Sequence, residues 1–152
     1  MTKNRQTKAV PVAALAGNPN VGKSTIFNAL TGMRQHTGNW PGKTVSLAQG
    51  VCMYKGEEIR LVDLPGTYAL VSKSQEETLA AEFISGGEAD CVIAVCDATS
   101  LERSLILALQ VMELTDRVIV CVNLMDEAQK QGIEIDLAAL SFELGVPVVA
   151  AS

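Results

Sequence analysis

The octapeptide Gly17-Asn-Pro-Asn-Val-Gly22-Lys23-Ser24 constrains the fold of this chain more than any other segment. It matches the pattern G-x-x-x-x-G-K-[S/T], which average composition would place by chance in a chain of this length with a probability below about 1%. It lies between a strand predicted at residues 10–16 and a helix predicted at residues 23–30, as a phosphate-binding loop requires. We therefore predict such a loop, rather than a plain glycine-rich turn, with backbone N–H groups around phosphate oxygens at the positive end of the helix dipole.

Two side chains of this loop have specific predicted roles. Lys23 can reach the β- and γ-phosphates of a nucleotide, and the Ser24 hydroxyl can ligate Mg²⁺. The loop thus predicts a site for a nucleoside triphosphate with its magnesium ion. The residues expected to contact the nucleotide here are Gly17, Asn18, Pro19, Asn20, Val21, Gly22, Lys23, Ser24 and Thr25.

The rest of the chain alternates apolar runs with helical patterns, which is typical of a three-layer α/β domain with a mainly parallel sheet. Strands predicted at residues 46–54 and 57–63 flank Lys55-Gly56, so a hairpin should add one antiparallel edge strand. The other predicted elements are strands at residues 91–96, 118–122 and 146–150, helices opened by capping boxes at residues 74–77 and 99–102 and ending near residues 84 and 114, and a short helix from Asp136 that stops at Gly145. We predict one domain over residues 10–152.

The charge of the chain is unevenly distributed. Twelve basic and 17 acidic residues leave a net charge of −5, which argues against a nucleic-acid partner bound through phosphate neutralisation. Residues 1–9 contain Lys3, Arg5 and Lys8 and no acid, and we expect them to form a flexible, solvated basic tail. No apolar run approaches the roughly 20 residues of a membrane span, so the fragment is expected to be soluble.

The cysteines and the histidine argue against a metal site of the zinc type. The four cysteines contain no C-x-x-C pair and lie among aliphatic residues, so we expect reduced thiols in a cytosolic protein rather than metal ligands. His36 is the only histidine, which excludes a histidine-rich metal site.

A second motif, Asp63-Leu-Pro-Gly66, ends the strand predicted at residues 57–63. A carboxylate at this strand end would lie beside the phosphate loop, where Asp63 can hold the hydration shell of Mg²⁺. The Gly66 N–H can bind the γ-phosphate and move when that group leaves. The alternative is that Asp63 is simply a strand-end residue.

A third motif, Asn123-Leu-Met-Asp126, ends the strand that starts near Val118. An N-x-x-D at this place is the base-reading element of GTPases, in which the aspartate accepts from guanine N1–H and N2–H₂, a donor pair that adenine lacks. The usual second residue is lysine, and this chain has Leu124. The alternative is that Asp126 caps the next helix. We predict guanine rather than adenine.

Together with Gly38-Asn-Trp-Pro-Gly42 and Thr44, these motifs resemble the N-terminal G domain of the prokaryotic ferrous-iron transporter B (FeoB) family over roughly residues 9–152. The resemblance implies a P-loop GTPase that uses GTP, GDP, Mg²⁺ and K⁺. It also implies a parent protein at the cytoplasmic face of the bacterial inner membrane, with a helical regulatory domain and a membrane domain for Fe²⁺ as partners. Self-association is left open.

The resemblance also implies roles for single residues. Thr44 would ligate Mg²⁺ when GTP is bound, within a mobile switch at residues 33–45 whose His36 and Trp40 have solvent-facing or packing roles. Asn20 would bind K⁺, the alternative being a loop asparagine bonded to its own backbone. The catalytic set would be Lys23, Asn20, Thr44 and Gly66. Thr67 stands where Ras-like proteins have glutamine, so hydrolysis should be slow.

The last residues, Ala151 and Ser152, begin a loop expected to touch guanine O6. No final helix follows, so the domain is expected to be truncated. Three other functions remain open: a soluble ribosome-assembly or RNA-modification GTPase, a nucleotide-gated binding module with negligible turnover, and an ATP-specific P-loop kinase.

Overall fold

A computed structural model describes residues 9–32, 35–39, 46–71 and 73–152. Its strands are β1 (Val12–Gly17), β2 (Gln35–Asn39), β3 (Ser46–Tyr54), β4 (Glu57–Asp63), β5 (Cys91–Asp97), β6 (Val118–Asn123) and β7 (Val148–Ala150). Its helices are α1 (Lys23–Thr31), α2 (Gln75–Ser85), α3 (Leu101–Leu114), α4 (Met125–Lys130) and α5 (Leu137–Leu144), with a 3₁₀ turn at Ala98–Ser100. The basic tail predicted at residues 1–9 lies outside the described residues except for its last position.

Within the described residues, seven strands form one sheet in the order β2-β3-β4-β1-β5-β6-β7. β1 pairs in parallel with β4 and β5, and β5, β6 and β7 continue the parallel arrangement. β3 runs antiparallel to β4, and β2 runs antiparallel to β3. This is the predicted P-loop GTPase architecture, a mostly parallel sheet with an antiparallel edge.

Helices cover both faces of the central strands, which explains why β1 is apolar without alternation. On one face Leu15 packs with Phe27 of α1 and Leu61 of β4. On the other face Ala14 belongs to a larger cluster that includes Val111 of α3. Leu15 and Ala14 are completely buried. The carboxyl end of β1 is therefore held rigidly from both sides, and the phosphate loop begins there.

The hairpin prediction and the first helix-capping prediction are confirmed. Lys55 and Gly56 join β3 to β4 with φ angles of +49° and +76°, as a tight two-residue turn requires. At α2, the Ser74 hydroxyl accepts from the Glu77 N–H at 3.1 Å. The Glu77 carboxylate in turn accepts from the Lys73 N–H at 3.1 Å, so this helix start is capped from both directions.

The capping box predicted at residues 99–102 is wrong, although the helix it predicted exists. Ser100 precedes α3 without a side-chain cap bond. Asp97, the last residue of β5, instead accepts from the Thr99 N–H at 2.8 Å and the Thr99 hydroxyl at 2.6 Å. The Asp97 carboxylate therefore stabilises the 3₁₀ turn that follows β5. Because the Thr99 hydroxyl bonds this carboxylate, it does not cap α3.

Strand β2 was not predicted as a strand. It lies in the middle of the segment interpreted as a mobile switch, and its five residues pair with β3 from Gln35 opposite Gly50 to Asn39 opposite Ser46. The free edge of β3 supplies the backbone partners that make this short polar segment extended. The remaining switch residues at 33–34 and 40–45, including Trp40 and Thr44, lie outside the described residues. His36 is solvent-exposed.

In the described part of the chain, no helix has the length and apolar character needed to cross a bilayer.

Candidate functional site

The phosphate-loop sequence forms a tight turn between β1 and α1. Asn20 and Gly22 have φ angles of +69° and +82°, so the chain turns sharply at both residues. A Cβ atom on Gly22 would lie 2.3 Å from Nδ2 of Asn123, so this position requires glycine. The loop encloses a cavity of about 440 Å³. The residues that line it are Asn18, Pro19, Asn20, Gly22, Lys23, Ser24 and Gly66.

Lys23 connects this loop to the second motif. Its side chain is buried, and Nζ forms an ion pair with Oδ1 of Asp63 and donates to the carbonyl of Leu64 at 2.7 Å. Asp63 reaches this position because it ends β4 opposite Leu15 of β1. An ammonium group has three donors, so one remains for a phosphate oxygen. The lysine and the carboxylate that the sequence predicted for one site therefore lie in contact.

The segment after Asp63 lies directly on the phosphate loop. The Leu64 N–H donates to the carbonyl of Leu15 at 3.0 Å, and the Thr67 N–H donates to the carbonyl of Gly17 at 3.1 Å. A Cβ on Gly66 would lie 3.4 Å from Cα of Pro19. The two segments are therefore in van der Waals range, and Gly66 lines the same cavity as the loop.

The oxygen groups around the cavity suit hard cations. Ser24 is exposed in the first turn of α1 and lines the cavity, and the Asp63 carboxylate is bound to Lys23 beside it. A hydroxyl and a carboxylate, completed by phosphate oxygens and water, form a donor set that Mg²⁺ accepts. Asn20 is exposed, so its amide oxygen is available to a monovalent cation such as K⁺. Thr25 is also exposed, but it is not part of the cavity lining.

The third motif contacts the phosphate loop through its asparagine. Nδ2 of Asn123 donates to the carbonyl of Val21 at 3.0 Å, and this side chain is buried. The Ala151 N–H donates to the carbonyl of Val122 at 2.9 Å, and the Ala151 carbonyl accepts from the Met125 N–H at 3.1 Å. These bonds hold Ala151, the residue after β7, beside the motif.

Asp126 lies in the first turn of α4, a helix that the sequence did not predict. It is exposed and shares a cavity of about 360 Å³ with Ser152. The residue before α4, Leu124, has a φ of +63°, and this helix start has no side-chain cap bond. The alternative role of Asp126 as a helix cap is therefore wrong. Its carboxylate remains available for a ligand.

No cysteine lines either of these two cavities, although Cys121 packs with Val21 of the phosphate loop. All four are free thiols; Cys96 and Cys121 are buried, and Cys52 and Cys91 are half-buried. Burial, together with the neighbouring Cys121, raises the pKa of the Cys96 thiol to about 12, and burial also raises the pKa of Cys121. The Cys96 and Cys121 thiols therefore stay protonated at neutral pH. Within the described ranges, no group of three or more His, Cys, Asp or Glu side chains is arranged to hold a metal ion.

The sequence did not predict the contacts that hold the segment after Gly66 in place. The Leu70 N–H donates to Oε1 of Gln110 on α3 at 2.6 Å, and the Arg103 guanidinium lies 5.5 Å from the centre of the Tyr68 ring. No local pattern marks Gln110, because its partner is 40 positions away in the chain. These contacts connect the D-x-x-G segment to α3.

Comparison with known proteins identifies the family. A model of the family described as "Ferrous iron transport protein B" matches residues 11–152. The chain belongs to this family. The Fe(2+) transporters FeoB of Salmonella typhimurium and Escherichia coli K12 are 49% and 48% identical to it over 139 residues, which is 89% of the chain. The chain spans only 18% of the length of these FeoB relatives.

Solved FeoB structures have the same fold. The G domain of Thermotoga maritima FeoB superposes with a TM-score of 0.85 at 46% identity, covering 93% of this chain and 87% of that one. The FeoB G domain of Methanococcus jannaschii gives 0.81 at 45% identity, covering 94% and 86%. The T. maritima cytosolic domain in its GMPPNP form gives 0.88 at 47% identity, covering 93% of this chain and 57% of that one.

Proposed function

We propose that this chain is a guanine-nucleotide switch domain that binds GTP with Mg²⁺, hydrolyses it slowly with stimulation by K⁺, and regulates ferrous-iron uptake in its parent transporter. The observation that carries the proposal is the contact of all three motifs at one edge of the sheet. Lys23 bonds Asp63, Thr67 bonds Gly17, and Asn123 bonds Val21. Solved T. maritima FeoB cytosolic domains in GDP and GMPPNP forms support the same class of ligand.

The phosphate chain would be bound by groups that are already oriented. Asn20 and Gly22 already have the left-handed backbone conformation of such a loop, so we expect its N–H groups to need little reorganisation on binding. Lys23 keeps one donor for the β- and γ-phosphates. Ser24 and Asp63 would hold Mg²⁺, with Thr44 as the further ligand that the resemblance implies. When bound, Mg²⁺ neutralises charge on the β- and γ-phosphate oxygens.

Hydrolysis would depend on backbone positioning. Thr67 follows the D-x-x-G motif and offers no general base, so the Gly66 N–H is the group that can bind the γ-phosphate and report its loss. Asn20 would hold K⁺, which when bound stabilises charge that develops between the phosphates. Because Thr67 supplies no side-chain base, we expect slow turnover, which suits a nucleotide switch.

The base would be read by Asp126, whose exposed carboxylate can accept both guanine donors. Ala151, which backbone bonds hold beside this motif, and Ser152, which lines the same cavity as Asp126, would contact guanine O6. Leu124 would form an apolar wall where other GTPases have lysine. The downstream helical and membrane domains are the proposed partners, and the cytoplasmic face of the inner membrane is the proposed location.

The test is nucleotide binding by isothermal calorimetry with Mg²⁺ present. We expect the chain to bind GDP and not ADP, and Asp126→Asn to lose GDP and to bind xanthosine diphosphate, because the amide reverses one hydrogen bond to the base. Equal binding of ADP and GDP by the unmodified chain would contradict the guanine assignment and favour a P-loop kinase.

Phosphate release from GTP separates the switch enzyme from a binding module. We expect slow release that is faster in K⁺ than in Na⁺ at equal ionic strength. Tight GDP binding without any release in either salt would support the nucleotide-gated binding module instead.

A further inference from the structure

Asn18 lines the phosphate cavity, but the proposed chemistry gives its side chain no role. It is 7% exposed, and its Oδ1 atom has no hydrogen-bond donor among the residues that the structure describes. Other buried polar side chains do have partners, namely Lys23, Thr31, Ser104 and Asn123. Native proteins leave few buried acceptors unpaired, so an unpaired one beside a ligand cavity calls for a functional explanation.

The segment that covers Asn18 is the one expected to respond to the γ-phosphate. The Thr67 N–H donates to the carbonyl of Gly17, the residue before Asn18, at 3.1 Å. A Cβ on Gly66 would lie 3.4 Å from Cα of Pro19, the residue after it. Asn18 therefore lies between two points at which the D-x-x-G segment touches the phosphate loop.

Hydrogen-bond chemistry restricts the partner of Asn18. Its Oδ1 is an acceptor and so does not suit a phosphate oxygen, which is also an acceptor. It suits an N–H or O–H donor, a water molecule or a cation; among the residues that approach this part of the loop, the protein itself offers a donor. Thr67 provides a hydroxyl, is only 7% exposed, and uses its backbone N–H, not its hydroxyl, in the hydrogen bond observed to Gly17.

We propose that the Thr67 hydroxyl donates to Oδ1 of Asn18 when the D-x-x-G segment closes on a γ-phosphate. This bond fixes the peptide between Gly66 and Thr67, and so orients the Gly66 N–H for hydrolysis. Asn18 and Thr67 are positioning residues that act through Gly66. The inference rests on the proposed GTPase function.

The test compares Asn18→Ala, Thr67→Val and the double variant in the 152-residue chain. We expect each single variant to lower kcat for GTP about three- to tenfold, as the loss of one hydrogen bond predicts, and to lower GDP affinity by much less than it lowers kcat. The double variant should be no slower than the slower single variant, because both substitutions remove the same bond.

A second measurement distinguishes positioning from folding. Thermal unfolding without nucleotide should be unchanged or shifted upward in Asn18→Ala, since this substitution removes an acceptor that has no partner. Thr78→Val, at a half-buried threonine of α2, is the matched control and should leave both turnover and unfolding unchanged.

Three results would overturn the inference: unchanged turnover in both single variants, losses that multiply in the double variant, or a loss of GDP affinity as large as the loss of turnover. The first two exclude the bond, and the third indicates that Asn18 only shapes the loop. If the unmodified chain does not hydrolyse GTP, the proposed function itself fails, and the inference fails with it.

Discussion

Single glycines decide whether the phosphate loop can form. Gly22 combines a φ of +82° with a close approach to the amide of Asn123, whereas Gly87 has a φ of +74° and open space around it. Comparing the two glycines therefore separates the cost of the left-handed backbone from the cost of the steric contact with Asn123. Substitution of Gly87 tests the first effect alone.

We expect Gly22→Ala to destabilise the chain by more than Gly87→Ala, which should lose about 1 kcal/mol from its left-handed backbone. The added methyl group would displace the Asn123 amide and break its bond to the Val21 carbonyl, so GDP affinity should also fall. Urea unfolding and a GDP titration measure the two effects. Equal losses of stability in both variants, with GDP binding intact, would show that the contact with Asn123 is unimportant.

At this scale the sequence predicted the motif residues and missed their supports. Lys23, Asp63 and Asn123 were found because short local patterns mark them and because parallel strands end at one edge of a sheet. Asn18 was included as part of the loop, but its unpaired oxygen depends on tertiary packing. Gln110 carries no local signal, since its bond to Leu70 forms only after α3 has packed.

Element starts and ends show the same limit. The capping box at α2 was correct because all of its groups lie within a few residues of each other. At α3 the same pattern was misleading, because Asp97 at the end of β5 competes for Thr99 and a short 3₁₀ turn intervenes. Strand β2 was missed because its extended form depends on pairing with β3 rather than on its own polar sequence.

This difference predicts unequal effects of serine substitutions at two helix starts. Ser74→Ala should destabilise the chain by about 1 kcal/mol, because the Glu77 N–H loses its acceptor. Ser100→Ala should have a much smaller effect, because Ser100 precedes α3 without capping it. Urea unfolding of both variants provides the measurement. A loss in Ser100→Ala as large as that in Ser74→Ala would mean that the capping box predicted at residues 99–102 operates after all.

At the scale of the whole molecule, the candidate site also connects two elements of the fold. Lys23 begins α1, Asp63 ends β4, and their ion pair connects a helix on one face to the carboxyl end of an interior strand. The side chains are only 9% and 16% exposed. A partly buried pair of this kind makes each charge dependent on the other, because removing one leaves the second without compensation.

Lys23→Met should therefore unfold at lower urea concentration even without nucleotide, with a loss of about 3 kcal/mol, since Asp63 and the Leu64 carbonyl both lose their donor. Adding Asp63→Asn should restore part of that stability, because the uncompensated charge is removed. Lys130→Met is the control: its partner Glu127 is 3.9 Å away and both side chains are mostly exposed, so no measurable change is expected. If Lys23→Met is as stable as the unmodified chain, the ion pair contributes nothing to the free energy of unfolding. The role of Lys23 would then be limited to binding phosphate.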